Sequence, residues 1–211
     1  MGKCYTNNII KNLTLKSLDI FMPKGLNMPI MKFFIIGLLF LIIGVNNLEA
    51  ANKIWLPTNG GNWTTTTNWN PNGAPGATDD IVIGAQTGNI TGVPNVTVNS
   101  LTINGNCNLA STANGNTITV STTFSVGAGA TLTLNGTNGT RPNITLLSTV
   151  TGTIAGVVAS GNAANIFTNG GSLDFTGAGS TTIGVASFIN TGTINLNTTG
   201  AITGITNNGE L

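Results

Sequence analysis

The last third of the chain repeats itself. Three stretches, FTNGGSLDF (167–175), FINTGTINL (188–196) and ITNNGEL (205–211), superimpose without gaps. Phe167, Phe188 and Ile205 coincide, then Asn169, Asn190 and Asn207, then Gly171, Gly192 and Gly209, and last Leu173, Ile194 and Leu211. A period of about 20 residues that carries short strands and a Gly corner is the mark of a solenoid, in which each turn stacks on the one before. Equivalent residues then lie one above another at the strand spacing of about 4.8 Å. The recurring apolar positions fill the interior. The recurring Asn is expected to form a ladder whose amides bond from turn to turn, and the recurring Gly to supply positive φ at tight corners.

Upstream of the repeat the pattern is coarser but of the same kind. The runs IVI (81–83), VTV (96–98), LTI (101–103), TITV (117–120), FSV (124–126), TLTL (131–134) and NITLL (143–147) alternate apolar residues with Thr, Asn or Ser. Each is bounded by Gly or Asn. That is the period-two signature of strands, and no helical stretch follows residue 50. Between 81 and 147 the spacing is less regular, which leaves a β-sandwich open there. For the chain as a whole the expectation is all-β: a parallel β-solenoid (β-helix) over 81–211, behind a Trp-rich cap at 51–80.

Such a coil explains why charged residues make up only 6% of the chain, against about a quarter in a typical globular protein. A narrow apolar interior and a surface of Thr, Asn and Ser need no charge to be solvated. The one continuous apolar run, Phe33–Val45, is too short to span a bilayer, which takes about 20 residues. With Met31-Lys32 ahead and Ala50 behind, 31–50 reads as a secretory signal peptide. Residues 1–30 are then an N-terminal extension ahead of the true start, and the exported form begins near Ala51. Past Ala50 only Lys53 and Arg141 oppose Asp79, Asp80, Asp174 and Glu210. Nucleic-acid binding lacks its basic footprint, and no membrane span is expected after signal cleavage.

All three tryptophans, Trp55, Trp63 and Trp69, fall inside the cap segment. Two roles suit them. The first turn of a solenoid exposes strand edges and apolar core that need covering, and each Trp buries a large area. Alternatively their rings stack on a glycan, as Trp is also favoured at binding sites. Both readings stay open at this point.

The stretch GNWTTTTNWNPNGAPGATDDIVIG, followed by VTVNSLTING, resembles the start of large surface proteins of the Bacteroidetes, in which a Trp–Asn-Trp segment, a Pro and a D-x-V-x-I strand precede parallel β-helix turns. The resemblance covers Ile54 to about Gly136. It implies export across both membranes by type IX secretion, cell-surface display or release, and an adhesin-like role. The sorting domain that commonly ends such proteins has no counterpart here. Together with the unfinished repeat at Leu211, this suggests an N-terminal fragment whose open last turn would associate end to end.

Catalytic constellations are sparse. The chain has no His, so it offers neither a Ser-His nor a Cys-His pair. Cys107, in LTINGNCNL, reads as a small buried residue. Glycoside hydrolysis needs two facing carboxyl groups, whereas Asp79 and Asp80 are adjacent and Asp174 lies far along the chain. Asp79 and Asp80 could join turn carbonyls around Ca²⁺, but the ATDD segment equally reads as the end of the cap loop and the start of a strand, since Ca²⁺ takes six or more oxygens. Thr runs such as 64–67 invite an ice-binding reading, but that would need outward Thr on every turn. The expectation is therefore a secreted, cell-surface, structural or adhesin-like protein without catalytic residues, cofactor or metal. Its partners would be surface glycans or other cell-surface proteins. The alternative is a carbohydrate-binding module using Trp55, Trp63 and Trp69, or the non-catalytic part of a glycan-active enzyme.

Overall fold

The structure, a computed structural model, describes residues 50–135, 140–161, 164–177, 182–197, 201–202 and 205–207. The 1–30 extension, the signal segment apart from Ala50, and the repeat positions Gly209 and Leu211 lie outside them.

The chain opens with β1 (Asn52–Trp55), β2 (Gly61–Asn62) and β3 (Trp69–Asn70). Three coils of two strands follow: β4 (Asp80–Ile83) and β5 (Asn89–Val93), β6 (Val96–Ile103) and β7 (Cys107–Ser111), β8 (Asn116–Val126) and β9 (Thr131–Leu134). Later coils have three strands: β10 (Pro142–Leu146), β11 (Thr151–Ile154) and β12 (Val157–Ser160), then β13 (Ile166–Asn169), β14 (Ser172–Phe175) and β15 (Thr182–Gly184). After β16 (Ser187–Asn190), β17 (Thr193–Leu196) and β18 (Ala201–Ile202) comes β19 (Ile205–Asn207).

These strands stack into three walls. The first runs through the leading halves of β6 and β8 to β10, β13, β16 and β19. The second runs from β1 and β4 through the trailing halves of β6 and β8 to β11, β14 and β17. The third takes β2, β5, β7, β9, β12, β15 and β18. Every pairing among them is parallel, and β3 alone pairs antiparallel, against β1. The fold is a parallel β-solenoid. Parallel pairing of β4, β6, β8 and β10 removes the sandwich alternative for 81–147.

Alternation along each strand sends every second side chain into the lumen, and the register lines these residues up. In the second wall Ile81, Leu101 and Phe124 are consecutive partners, as are Ile83, Ile103 and Val126; all are fully buried. The runs 96–98 and 101–103, which read as separate strands, are one strand that bends through a corner, as are 117–120 and 124–126. At this bend β8 carries one residue more than β6, so the register slips between Val98 and Ser100. The hydroxyls of Ser121 and Thr122 bond back to the Val98 and Asn99 carbonyls at 3.0 and 2.7 Å.

In the terminal repeat the register matches the alignment: Phe167 with Phe188 and Ile205, Asn169 with Asn190 and Asn207, Leu173 with Ile194. The role of the glycines differs from expectation. Positive φ occurs at Gly60, Gly61, Gly73, Gly92, Gly115 and Gly129, and at neither Gly171 nor Gly192. Those two are required by close approach. A Cβ on Gly171 would fall on the Val150 carbonyl oxygen, and one on Gly192 on that of Gly171. Corner backbone stacks directly on corner backbone, leaving no room for a side chain.

The abundance of Asn has a matching cause. An N–H at the leading end of a strand is supplied with an acceptor by an Asn one coil earlier in three places. Asn95, Asn106 and Asn143 accept through Oδ1 from the backbone N–H of Thr117, Thr131 and Ile166 at 2.8–2.9 Å.

Candidate functional site

The cap is built on the first coil. Strand β1 continues the second wall by pairing with β4, and β2 continues the third by pairing with β5. The loop between them and β4 then folds back over the open end. In Asn52–Trp55 the burial alternates, so Lys53 and Trp55 both face inward. Lys53 pairs with Ile81 and so heads the column Ile81, Leu101, Phe124. Its stem covers apolar surface while its Nζ donates to the carbonyls of Pro71 and Asn72 at 3.1 and 3.3 Å, the usual division of labour for a long amphipathic side chain.

The three tryptophans form one cluster. Trp69 meets Trp55 and Trp63 edge to face, with ring centroids 4.9 Å apart in both pairs, a favoured aromatic geometry. Trp69 Nε1 donates to the Trp63 carbonyl at 2.7 Å, and Trp55 Nε1 to Gln86 Oε1 at 3.1 Å. Trp63 Nε1 is the one buried side-chain polar atom among the described residues without a hydrogen-bond partner. Trp63 and Trp69 are 0% exposed and Trp55 4%. A ring that stacks on a sugar must present a face to solvent, and these rings present none. The geometry favours the cap.

The Asn ladder lies inside the coil, at a corner. Asn169 and Asn190 are both fully buried. Asn169 Nδ2 donates to Asn190 Oδ1 at 2.8 Å and to the Thr193 carbonyl at 3.1 Å, while its Oδ1 accepts from Gly171 N–H at 3.3 Å. Asn169 Nδ2 also lies 3.3 Å from the Gly171 carbonyl, and Asn190 repeats this contact by donating to the Gly192 carbonyl at 3.0 Å. Asn207 continues the register in the backbone. Its function is to satisfy corner backbone groups that the tight turn directs inward. Sequence reasoning missed two further buried amides, Asn116 and Asn165. Asn165 Nδ2 donates to the Pro142 carbonyl at 2.7 Å, and Asn116 Nδ2 to that of Val93 at 3.1 Å. Neither belongs to a detectable repeat.

The described carboxylates are spread along the coil, and each is engaged; Glu210 lies outside the described residues. Asp79 accepts from Ala51 N–H at 3.2 Å and Gly76 N–H at 2.8 Å, which closes the cap loop. Asp80 Oδ1 accepts from Asn99 Nδ2 at 2.8 Å and Ser100 Oγ at 2.6 Å in the next coil. Asp174 accepts from Asn195 Nδ2, one coil on. Asp79 and Asp80 thus serve two different contacts, and among the described residues no three acidic, Cys or His side chains gather where a metal ion could be held. The Thr64–Thr67 run lies in the exposed cap loop. The outward rows of the second wall are hydroxyl-bearing at Ser100, Thr102, Thr123, Ser125, Thr151 and Thr153, then include Asp174 and Asn195.

Cys107 is buried in the third wall, paired with Leu132, and burial pushes its thiol up from 9.0 to about 12. This has a measurable consequence. Above pH 9 the unfolded chain gives up the thiol proton while the folded chain keeps it to about pH 12. The folded state then binds more protons, so stability falls as pH rises through that window, by about 1.4 kcal/mol per pH unit at full slope. Cys107→Ala is expected to lack this component. Denaturation midpoints of both proteins from mildly to strongly alkaline pH test it, and parallel curves would show that the thiol is not held in apolar surroundings.

Comparison with known protein families, curated proteins and solved structures found no match. No helix among the described residues is long and apolar enough to cross a membrane.

Proposed function

We propose that this chain is an exported, cell-surface structural solenoid of adhesin-like type, without catalytic activity. The observation that carries this reading is the use made of the acidic groups. Asp79, Asp80 and Asp174 each bind a neighbouring segment or coil, so the side chains best suited to acid–base chemistry serve the stack. The signal-like segment at 31–50 and the resemblance of 54–136 to Bacteroidetes surface proteins support export and display. The outward walls, rich in Thr, Ser and Asn, are the surface such a protein would offer to glycans or to other surface proteins. The carbohydrate-binding alternative that relies on Trp55, Trp63 and Trp69 loses its support with the burial of their rings.

Antibodies against the folded chain are expected to label intact cells of the producing organism, and purified protein to release no reducing ends from polysaccharides. Polysaccharide cleavage that disappears in Asp80→Asn or Asp174→Asn is the result that overturns the non-catalytic reading. Labelling that appears only after cells are broken overturns the surface reading.

A further inference from the structure

Five Asn–Gly pairs lie among the described residues: Asn59–Gly60, Asn72–Gly73, Asn104–Gly105, Asn114–Gly115 and Asn169–Gly170. Asn–Gly is the pair in which the backbone nitrogen most readily attacks the preceding side chain, because Gly places no Cβ in the way. Attack also requires that this nitrogen be free to lose its proton and turn toward Cγ. An N–H already donated to an acceptor is not.

The structure separates the five on that criterion. Gly73 N–H donates to the Thr66 carbonyl at 3.0 Å, Gly115 N–H to that of Arg141 at 2.9 Å and Gly170 N–H to that of Leu146 at 2.9 Å. Gly60 N–H makes a longer bond to Gln86 Oε1, at 3.4 Å. Gly105 N–H makes no hydrogen bond among the described residues, and the Asn104 carbonyl accepts none. This one peptide has no hydrogen bond between pinned neighbours, although Gly105 packs closely on Ala85 of the coil before. Asn104 N–H is held by the Ile83 carbonyl at 2.9 Å, and the Asn106 carbonyl by Gln86 N–H at 2.6 Å. Asn104 is also exposed, as are Asn59, Asn72 and Asn114, whereas Asn169 is buried.

We infer that, of these five, Asn104 is the one most readily modified with time, by hydrolytic deamidation through a cyclic imide. Base removes the Gly105 amide proton, and the nitrogen attacks Asn104 Cγ. The new N–Cγ bond forms as the Cγ–Nδ2 bond breaks, and ammonia leaves with a proton from solvent. Water then opens the imide at either carbonyl, which yields an aspartyl or an isoaspartyl residue and adds one negative charge. No oxidant or cofactor takes part. The isoaspartyl product also lengthens the backbone by one atom, at a corner where Asn104 lies against Gly127 of the next coil.

The test is peptide mapping by mass spectrometry after incubating the full chain in mildly alkaline buffer, with aspartyl and isoaspartyl products resolved. In the folded protein Asn104 is expected to convert about fivefold faster than Asn72 and Asn114, which are also exposed but whose glycines carry one hydrogen bond each, Asn114 Oδ1 accepting in addition from Arg141 Nε at 2.6 Å. Asn59 should come next and Asn169 last. In denaturant the five rates should converge, and Asn104→Gln should remove the early product and leave the slower ones. Equal or slower conversion at Asn104 in the folded chain overturns the inference. So does an ordering that survives in denaturant, because the selectivity would then come from local sequence.

Discussion

Trp69→Ala is expected to lower the stability of the folded chain by about 3–5 kcal/mol, the range for truncating a fully buried large aromatic. The residue is 0% exposed, touches both other tryptophans edge to face and bonds the Trp63 carbonyl through its own N–H. Its loss therefore opens a cavity at the centre of the cap and frees the acceptor that ties two parts of the loop. Repacking around that cavity is limited, because β1 and β2 are fixed in the walls below. Chemical denaturation gives the value, with Leu56→Ala as the reference. Leu56 lies beside the cluster but is 51% exposed and should change stability by no more than about 0.5 kcal/mol. A Trp69→Ala protein that melts like the wild type yet loses retention on glycans would reverse the assignment of this cluster from cap to binding site.

Asn169→Leu is expected to destabilise by about 3 kcal/mol, although it makes the interior more apolar. The register makes this a sharp case. Val98, Val120 and Leu146 occupy the same inward column in successive coils, and Asn169 follows Leu146 directly. Leu is thus the residue the column itself carries one coil earlier. In those coils β6 and β8 run through the corner, or a longer turn spaces β10 from β11. At Asn169 only Gly170 and Gly171 separate β13 from β14, and the Asn169 amide meets Gly171 N–H in this turn and the Thr193 carbonyl of the next coil. With Leu in place Gly171 N–H loses its side-chain acceptor, and the Thr193 carbonyl and Asn190 Oδ1 each lose the Asn169 donor, at about 1–3 kcal/mol for a buried group that finds no substitute. Hydrogen exchange at Gly171 should accelerate in the variant. Unchanged or increased stability would show that apolar volume, and not corner geometry, selects the residue.

These two cases also mark how far the sequence could be read. The registers Phe167, Phe188, Ile205 and Asn169, Asn190, Asn207 were legible because the same two-residue corner separates β13 from β14 and β16 from β17, so these stretches align without gaps although the spacing between them varies. Between 81 and 147 the corners vary, strands bend through them, and one extra residue at Ser121–Thr122 breaks the period. There a single sequence shows strands but not which partner each takes. The corner glycines were found for the wrong reason, since a backbone packed against the coil before it leaves the same mark as a left-handed φ. Lys53 was visible in principle: it sits two residues before Trp55, and period two puts both inside. It was counted as a charge because an inward Lys makes sense only once the carbonyls of Pro71 and Asn72 are in place. The burial of the tryptophans, which decides between cap and glycan platform, depends on the loop that folds back over them, and no periodicity encodes that.

The three walls share one geometric property: their interstrand hydrogen bonds point along the axis of the coil. A molecule tethered at one end and pulled along that axis would have these bonds loaded head-on, a few at a time, at whichever coil is outermost. It would yield as a zipper, each released coil of about 20 residues paying out roughly 70 Å of slack, while the coils beneath keep their register. Force across the axis meets a different object, because whole walls must slide past each other before any bond is free. If the chain is displayed at a cell surface as proposed, the direction of the pull would therefore matter more than its global stability. The same solenoid would be compliant along its length and stiff across it.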